Sequence, residues 1–352
     1  MFDYVNTLEK LSKQFGITGQ ESKVAKIILN LIRDYIDSYE FTSLGSLIAV
    51  KQGSSEKHPK LMISTHIDEV GFVVSGILEG GFLRVSPRGG VDYKILPSKE
   101  VVINAQNEDI LAIFSTVTPH LLNEEDRSKP LNYDKLVLDT GLSEKEVRER
   151  IHIGDPVTFK GEFLKLKEDK VSGKSFDDRA SALVSIALLN ELKYFKNVWD
   201  IYCVFSTQEE VGSQGCYTSS FKIKPDVGIA IDVTIGDQPD ITEFEGYKLG
   251  EGTAIGIGPN FTPKIVKDLI NTAKEEKLKF VVEPMSRPGG TDAAVIQITQ
   301  AGIPTGLLSI PLRYMHTPIE LVDINDIKNT VKLLLYYIKR LDEKYLEELK
   351  WS

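Results

Sequence analysis

The chain has 352 residues, more than a single domain usually holds, so two domains are expected. A net charge of −9 and a pI near 5.3 argue against nucleic acid or an anionic membrane surface as the main partner. Only Cys203 and Cys216 occur, so no disulfide framework is expected and a reducing, cytoplasmic compartment fits.

Residues 1–16 carry charges every few positions and lack the apolar stretch of a signal peptide, and no run approaches the roughly 20 apolar residues of a membrane span. Thr18-Gly19-Gln20-Glu21 has the capping-box pattern. Val24, Ala25, Ile27, Ile28, Leu31, Ile32 and Tyr35 follow at helical spacing and predict an amphipathic helix. The run 61–65 predicts a buried strand that ends at His66. From Gly71 to about Phe163 the texture changes to short β-rich runs, over 71–77, 82–85, 99–104, 110–116 and 156–160, separated by Gly, Pro and Asn turns. These predict a small barrel or sandwich, and its later part, 123–151, is charged with a helical stretch at 143–150.

Beyond it, strand and helix signals alternate. Helices are predicted over 179–192, 263–276, 291–299 and 324–344, and strands over 200–206, 227–231, 280–283 and 303–310. Alternation of this kind implies an α/β fold with a mostly parallel sheet flanked by helices. The expected organisation is a discontinuous α/β domain, residues 1–70 and 165–352, interrupted by a small β-barrel-like domain over 71–164.

Five segments offer metal-type ligands: His66-Ile67-Asp68, Asp177-Asp178, Glu209-Glu210, Asp232 and His316. Most follow an apolar, β-branched run, where a parallel sheet presents its functional edge. His66 and Asp68 are two apart and share a face in extended chain, so Asp68 could fix the tautomer of a ligating His66. Asp177 and Asp178 precede a helix, where acids either cap the first turn or, for one of them, bridge two ions. Adjacent Glu209 and Glu210 side chains diverge, so one can bind metal while its neighbour faces the attacking water. Asp232 at a strand end and His316 in Tyr314-Met315-His316-Thr317-Pro318 are weak signals alone. Together the charges balance: two divalent ions bring four positive charges, Asp177, Glu210 and Asp232 three negative ones, and a bridging hydroxide the fourth. The inventory predicts a two-metal hydrolase. His58, His120 and His152 have no ligand context and are expected to be surface or structural residues.

The segments Ser64-Thr65-His66-Ile67-Asp68-Glu69-Val70-Gly71-Phe72, Lys174-Ser175-Phe176-Asp177-Asp178-Arg179-Ala180, Gln208-Glu209-Glu210-Val211-Gly212, Ile231-Asp232-Val233-Thr234, Gly290-Thr291-Asp292-Ala293 and Met315-His316-Thr317-Pro318 occur in one order along the chain. In this the sequence resembles the tetrahedral or glutamyl-type aminopeptidases (metallopeptidase family forty-two), whose members are often labelled endoglucanase or cellulase. The resemblance implies a zinc-exopeptidase-like fold in which His66 and Asp232 hold one ion, Glu210 and His316 the other, and Asp177 bridges them. It implies Glu209 as general base, Asp68 as support for His66, and zinc or cobalt as the ions. It also implies peptide substrates and a homo-oligomer, often a tetrahedral dodecamer, assembled through the inserted domain. Arg287, Thr291, Asp292 and Arg313, with Tyr314, are expected to neighbour the side-chain pocket. An inward Arg287 or Arg313 would favour acidic N-terminal residues, and an inward Asp292 basic ones.

Two other readings stay open on the sequence. A glycoside hydrolase needs two carboxylates on opposite sides of a sugar, roughly 5–9.5 Å apart, and no metal. A non-catalytic peptide- or metal-binding assembly protein would not need Glu209.

Overall fold

The computed structural model describes residues 2–116, 136–239, 241–242, 246–287 and 289–349, and it contains two hydrophobic cores. The larger belongs to an 11-stranded sheet with helices on its faces, the smaller to a closed barrel of six strands. The centre of the sheet is parallel: Asp200–Ser206, Lys60–His66, Val227–Ile235 and Thr305–Arg313 lie side by side in that order. Their aliphatic runs are buried on both faces, as helix-covered parallel strands require.

Antiparallel strands widen both flanks. Leu47–Lys51 and Ser38–Phe41 extend one side, and Glu320–Asp323, Lys170–Gly173 and Leu164–Lys165 the other. Thr253–Ile257 pairs antiparallel with Thr305–Arg313 and parallel with Phe280–Pro284. Several of these strands leave little trace in the sequence. Ser38–Phe41 is exposed along its whole length and Glu320–Asp323 is four residues long with an acid at each end, so neither shows an apolar pattern.

Helix Phe176–Leu192 is buried on nearly every face because it packs on the sheet and against the helices Tyr4–Ser12 and Ile324–Arg340. The predicted closing helix ends earlier than expected, at Arg340, and a separate turn Tyr345–Glu348 follows. The capping box expected at Thr18–Glu21 does not form. The helix begins at Ser22 with Glu21 as an N-cap that makes no side-chain cap bond, because both side chains bond elsewhere. Thr18 Oγ1 donates to Asp68 Oδ2 at 2.8 Å, and Glu21 Oε1 accepts from the backbone of Gly19 and Gln208.

The inserted β-structure is a barrel, closed in the order Gly71–Ile77, Leu83–Arg88, Leu138–Asp139, Asp109–Phe114, Glu100–Asn104, Pro156–Phe159. Alternation fills it: Ile110, Ala112 and Phe114 point inward while Leu111 and Ile113 face outward. Phe72 packs edge-on against Phe114 and Phe159, with ring centroids 5.1 and 5.6 Å away. Glu144–Arg150 forms the short helix expected there, with Ser143 and Glu146 in a reciprocal capping box. His120 and the start of the charged stretch at Asn123 lie outside the described residues.

Candidate metal centre and active site

The C-terminal end of Lys60–His66 and the C-terminal half of Val227–Ile235 deliver His66 and Asp232 to one spot; the strand expected over 227–231 runs on to Ile235, so Asp232 lies within it and not at its end. The turn after Ser206 delivers Glu209 and Glu210, the chain entering helix Phe176–Leu192 delivers Asp177, and the loop after Arg313 delivers His316. The Asp177 carboxylate lies between two imidazoles, with Oδ1 3.1 Å from His66 Nε2 and Oδ2 3.2 Å from His316 Nε2. Asp232 Oδ1 and Glu209 Oε2 stand 3.9 and 4.0 Å from His66 Nε2, and Glu210 Oε1 stands 3.3 Å from His316 Nε2. Two donor groups, His66 with Asp177 and Glu210 and His66 with Asp178 and Asp232, have their ligand atoms within 4.8 Å of one another. Asp178 is fully buried. Its Oδ1 accepts from Ser181 N at 3.3 Å and its Oδ2 has no partner.

Burial makes this cage electrostatically tense. Desolvation pushes the Asp232 and Asp178 carboxyls well up, and raises Glu209 to about 10. Burial also opposes charge on the histidines, yet Asp177 and Glu210 push His316 up to about 11, and Asp177 and Asp68 push His66 well up. Asp177 goes the other way: burial would raise it, and the two imidazoles hold it below the usual carboxylate range. Crowded carboxylates and two imidazole nitrogens, without a Lys or Arg ion pair to the cage among the described residues, are a donor set that suits a divalent cation of the zinc, cobalt or manganese kind.

Residues 45–333 match the M42 glutamyl aminopeptidase family. The chain belongs to that family. It is therefore a hydrolase acting on peptide bonds. A lysyl aminopeptidase of Pyrococcus furiosus is 34% identical over 95% of this chain and 97% of its own length. A TET aminopeptidase of the marine sediment archaeon Thaumarchaeota archaeon SCGC AB-539-E09 superposes with a TM-score of 0.94 at 29% identity, covering 99% of each chain. The TET1 peptidase of Pyrococcus horikoshii, which assembles into a tetrahedron or a large octahedral shell, gives 0.86 at 26% identity over 96% of this chain and all of its own. A Thermotoga maritima protein named endoglucanase gives 0.78 at 32% identity over 97% of this chain and 99% of its own.

Other side chains hold this member of the M42 family in shape. Asp68 accepts from Thr18 Oγ1 at 2.8 Å, Glu209 N at 3.1 Å and Glu210 N at 3.2 Å, and faces His66 Nδ1 at 3.5 Å. Arg179 donates to the carbonyls of Ile67, Leu11 and Gln14, and Glu69 pairs with Lys174 while accepting from Gly16 N at 3.0 Å. Gly89 and Gly90, after barrel strand Leu83–Arg88, abut Glu210 and His316, and Gly90 O accepts from His316 Nδ1 at 2.6 Å. That bond leaves Nε2 as the nitrogen free to ligate. Glu320 and this glycine pair were not singled out in the sequence, and Thr18 read only as a helix cap, because their partners lie far along the chain and no local spacing marks those contacts.

The residues expected near the side-chain pocket differ in their surroundings. Asp292 is 2% exposed and its Oδ2 accepts from the Ser64 and Ser206 hydroxyls, each at 2.6 Å, so its carboxylate ties the two neighbouring strands together. Arg313 is paired, with Nη2 2.7 Å from Asp237 Oδ1 and Nε donating to Asp237 O. Thr291 is half-buried ahead of helix Asp292–Ile298, Tyr314 donates its backbone N–H to Gln238, and Arg287 is exposed. Pro288 lies outside the described residues. His58 pairs with Asp200 at 3.2 Å and His152 is exposed near Asp155, both away from the cage.

Proposed function

We propose that the chain is a two-ion aminopeptidase that removes N-terminal residues from peptides. Asp177 carries the reading: one carboxylate facing two imidazoles on separate oxygens is what a bridging ligand looks like. His66 and Asp232 would hold one ion, Glu210 and His316 the other, with zinc or cobalt as the fitting metals. When bound, such ions supply Lewis acidity at the scissile carbonyl and acidify a water molecule toward a pKa of about 7.

Glu209 is the general base. Its oxygen at 4.0 Å from His66 Nε2 borders the cage without joining the Asp177–Glu210 pair, leaving it room to take a proton from water and return it to the leaving amine. Desolvation raises it to about 10, and positive charge beside it would return it toward neutrality, where a base works best. Asp68 holds the backbone N–H of Glu209 and so fixes where that base stands.

The inserted barrel, proposed as residues 71–164 against a catalytic domain of 1–70 and 165–352, is assigned to subunit contacts in a homo-oligomer, with a tetrahedral dodecamer as the specific form. Leu111 and Ile113, 59% and 50% exposed on its outer face, support that assignment, as does the assembly of the Pyrococcus horikoshii relative.

The test is hydrolysis of a panel of aminoacyl-anilides by metal-stripped protein before and after zinc or cobalt, with N-acetylated substrates as controls. Metal-dependent cleavage of free-amine substrates alone is expected, and the panel reads out the preferred side chain. Equal cleavage of blocked substrates, or chelator-resistant release of sugar from a β-glucan, would favour endopeptidase or glycosidase chemistry instead.

A further inference from the structure

Glu320 opens the strand Glu320–Asp323 and is paired in register with Gly173, the last residue of Lys170–Gly173. That pairing sets the chain entering Asp177 beside the chain leaving His316, although Glu320 and Asp177 are 143 positions apart. The Glu320 side chain is buried, and its carboxylate accepts three backbone N–H groups. Oε2 takes those of Phe176 at 2.6 Å and Asp177 at 3.1 Å, and Oε1 takes that of His316 at 2.8 Å.

His316 needs such a hold. Its backbone is left-handed at φ +61°, as is that of Tyr314, a conformation that a non-glycine residue keeps only where its surroundings enforce it. The ring itself is oriented from the barrel side, through Nδ1 on Gly90 O. Ring and backbone of one residue are thus fixed by two different parts of the chain. A side-chain amide could not stand in for Glu320. All three partners are donors, and glutamine would turn its own NH2 group toward one of them.

We propose that Glu320 is a positioning residue that sets Asp177 and His316 at the separation a shared cation requires, by holding the backbone N–H of each on one carboxylate. The inference rests on the reading of Asp177 and His316 as ligands. It adds the device that registers the helix-side ligand against the loop-side one.

The experiment is a cobalt(II) titration of metal-stripped protein, followed by visible absorption, on the wild type, Glu320→Gln, Glu320→Asp and Asp326→Asn. Aminoacyl-anilide hydrolysis is then measured at limiting and at saturating cobalt. Asp326 is the control: a buried carboxylate that accepts from Gly250 and Gly252 N–H at 2.8 and 2.9 Å and touches no residue of the cage. Glu320→Gln is expected to bind cobalt about 10–100-fold more weakly with an altered absorption band, to lose activity at limiting cobalt, and to regain most of it at saturation. Glu320→Asp, which keeps both acceptor oxygens on a shorter arm, is expected to fall between. Asp326→Asn is expected to keep wild-type cobalt affinity. Both Glu320 variants binding cobalt as tightly as wild type, with an unchanged band, would overturn the proposal. If Glu320→Gln does not fold, Glu320→Asp decides on the same readings. Wild-type protein that takes up no cobalt overturns the underlying assignment of the ligands, and that result is visible before any variant is compared.

Discussion

Asp68 Oδ1 accepts the backbone N–H of Glu209 at 3.1 Å, so the residue that faces His66 also fixes the turn that carries the proposed base. Asn at position 68 keeps the shape but turns a donor toward groups that themselves donate. Asp68→Asn is expected to lower kcat/KM by about 10–100-fold, and Thr18→Ala, which removes one donor from the same carboxylate, to cost about 1 kcal/mol of stability. Steady-state kinetics and urea denaturation check the two, and a fully active Asp68→Asn enzyme would remove the positioning role.

Glu209→Gln is expected to reduce kcat by about 10²–10⁴-fold while leaving cobalt uptake and its visible spectrum nearly unchanged. A loss of cobalt binding in proportion to activity would instead make Glu209 a ligand.

Metal uptake is expected to release protons. Without a bound cation, neighbouring carboxylates push His66 up and His316 up to about 11, so His316 is expected to hold a proton at neutral pH and His66 to favour one. A cation must displace those protons, and apparent affinity therefore rises with pH, by about tenfold per pH unit for each proton released. Calorimetric titration in buffers of different ionisation enthalpy, between about pH 6 and about pH 8, measures the proton count. Heats that do not depend on the buffer would contradict the protonated cage.

Gly89 sits at φ +78°, and a Cβ there would lie 2.8 Å from Val70 Cγ1 and 3.1 Å from Glu210 Cβ. Gly89→Ala is expected to cost about 1–3 kcal/mol and also to weaken cobalt binding, because Glu210 must shift. Gly141, at φ +70° with nothing within 4 Å of a built Cβ, is the comparison: alanine there strains the turn and leaves cobalt binding intact. Thermal unfolding and cobalt titration on both variants separate strain from displacement of the ligand.

Leu111→Glu with Ile113→Glu places two charges on the exposed face of the barrel strand Asp109–Phe114 and is expected to reduce the assembly to a smaller species. Light scattering after size exclusion reads the mass, and an unchanged assembly would move subunit contacts off this face.

Much of this protein is set by local chemistry that the sequence displays. Buried parallel strands need apolar, β-branched runs, so the strand that ends at His66 is legible, whereas Asp232 is a weak signal alone and lies inside Val227–Ile235. The barrel is legible for a similar reason, since alternating residues and frequent turns mark a half-buried antiparallel sheet. Other features exist only after folding. Local spacing offered Thr18 and Glu21 as a helix cap, yet both side chains reach across the chain, to Asp68 and to the turn at Gln208. Asp292 and Arg313 read as pocket residues, yet Ser64 and Ser206 hold one and Asp237 the other. Asp177 and Asp178 are chemically identical neighbours. Only the approach of His66 and His316 from distant segments puts the first between two imidazoles and leaves the second buried behind it. The physical reason is one of range: periodicity reports which face of an element is buried, whereas a hydrogen-bonded site depends on distances between residues whose separation in sequence carries no signal.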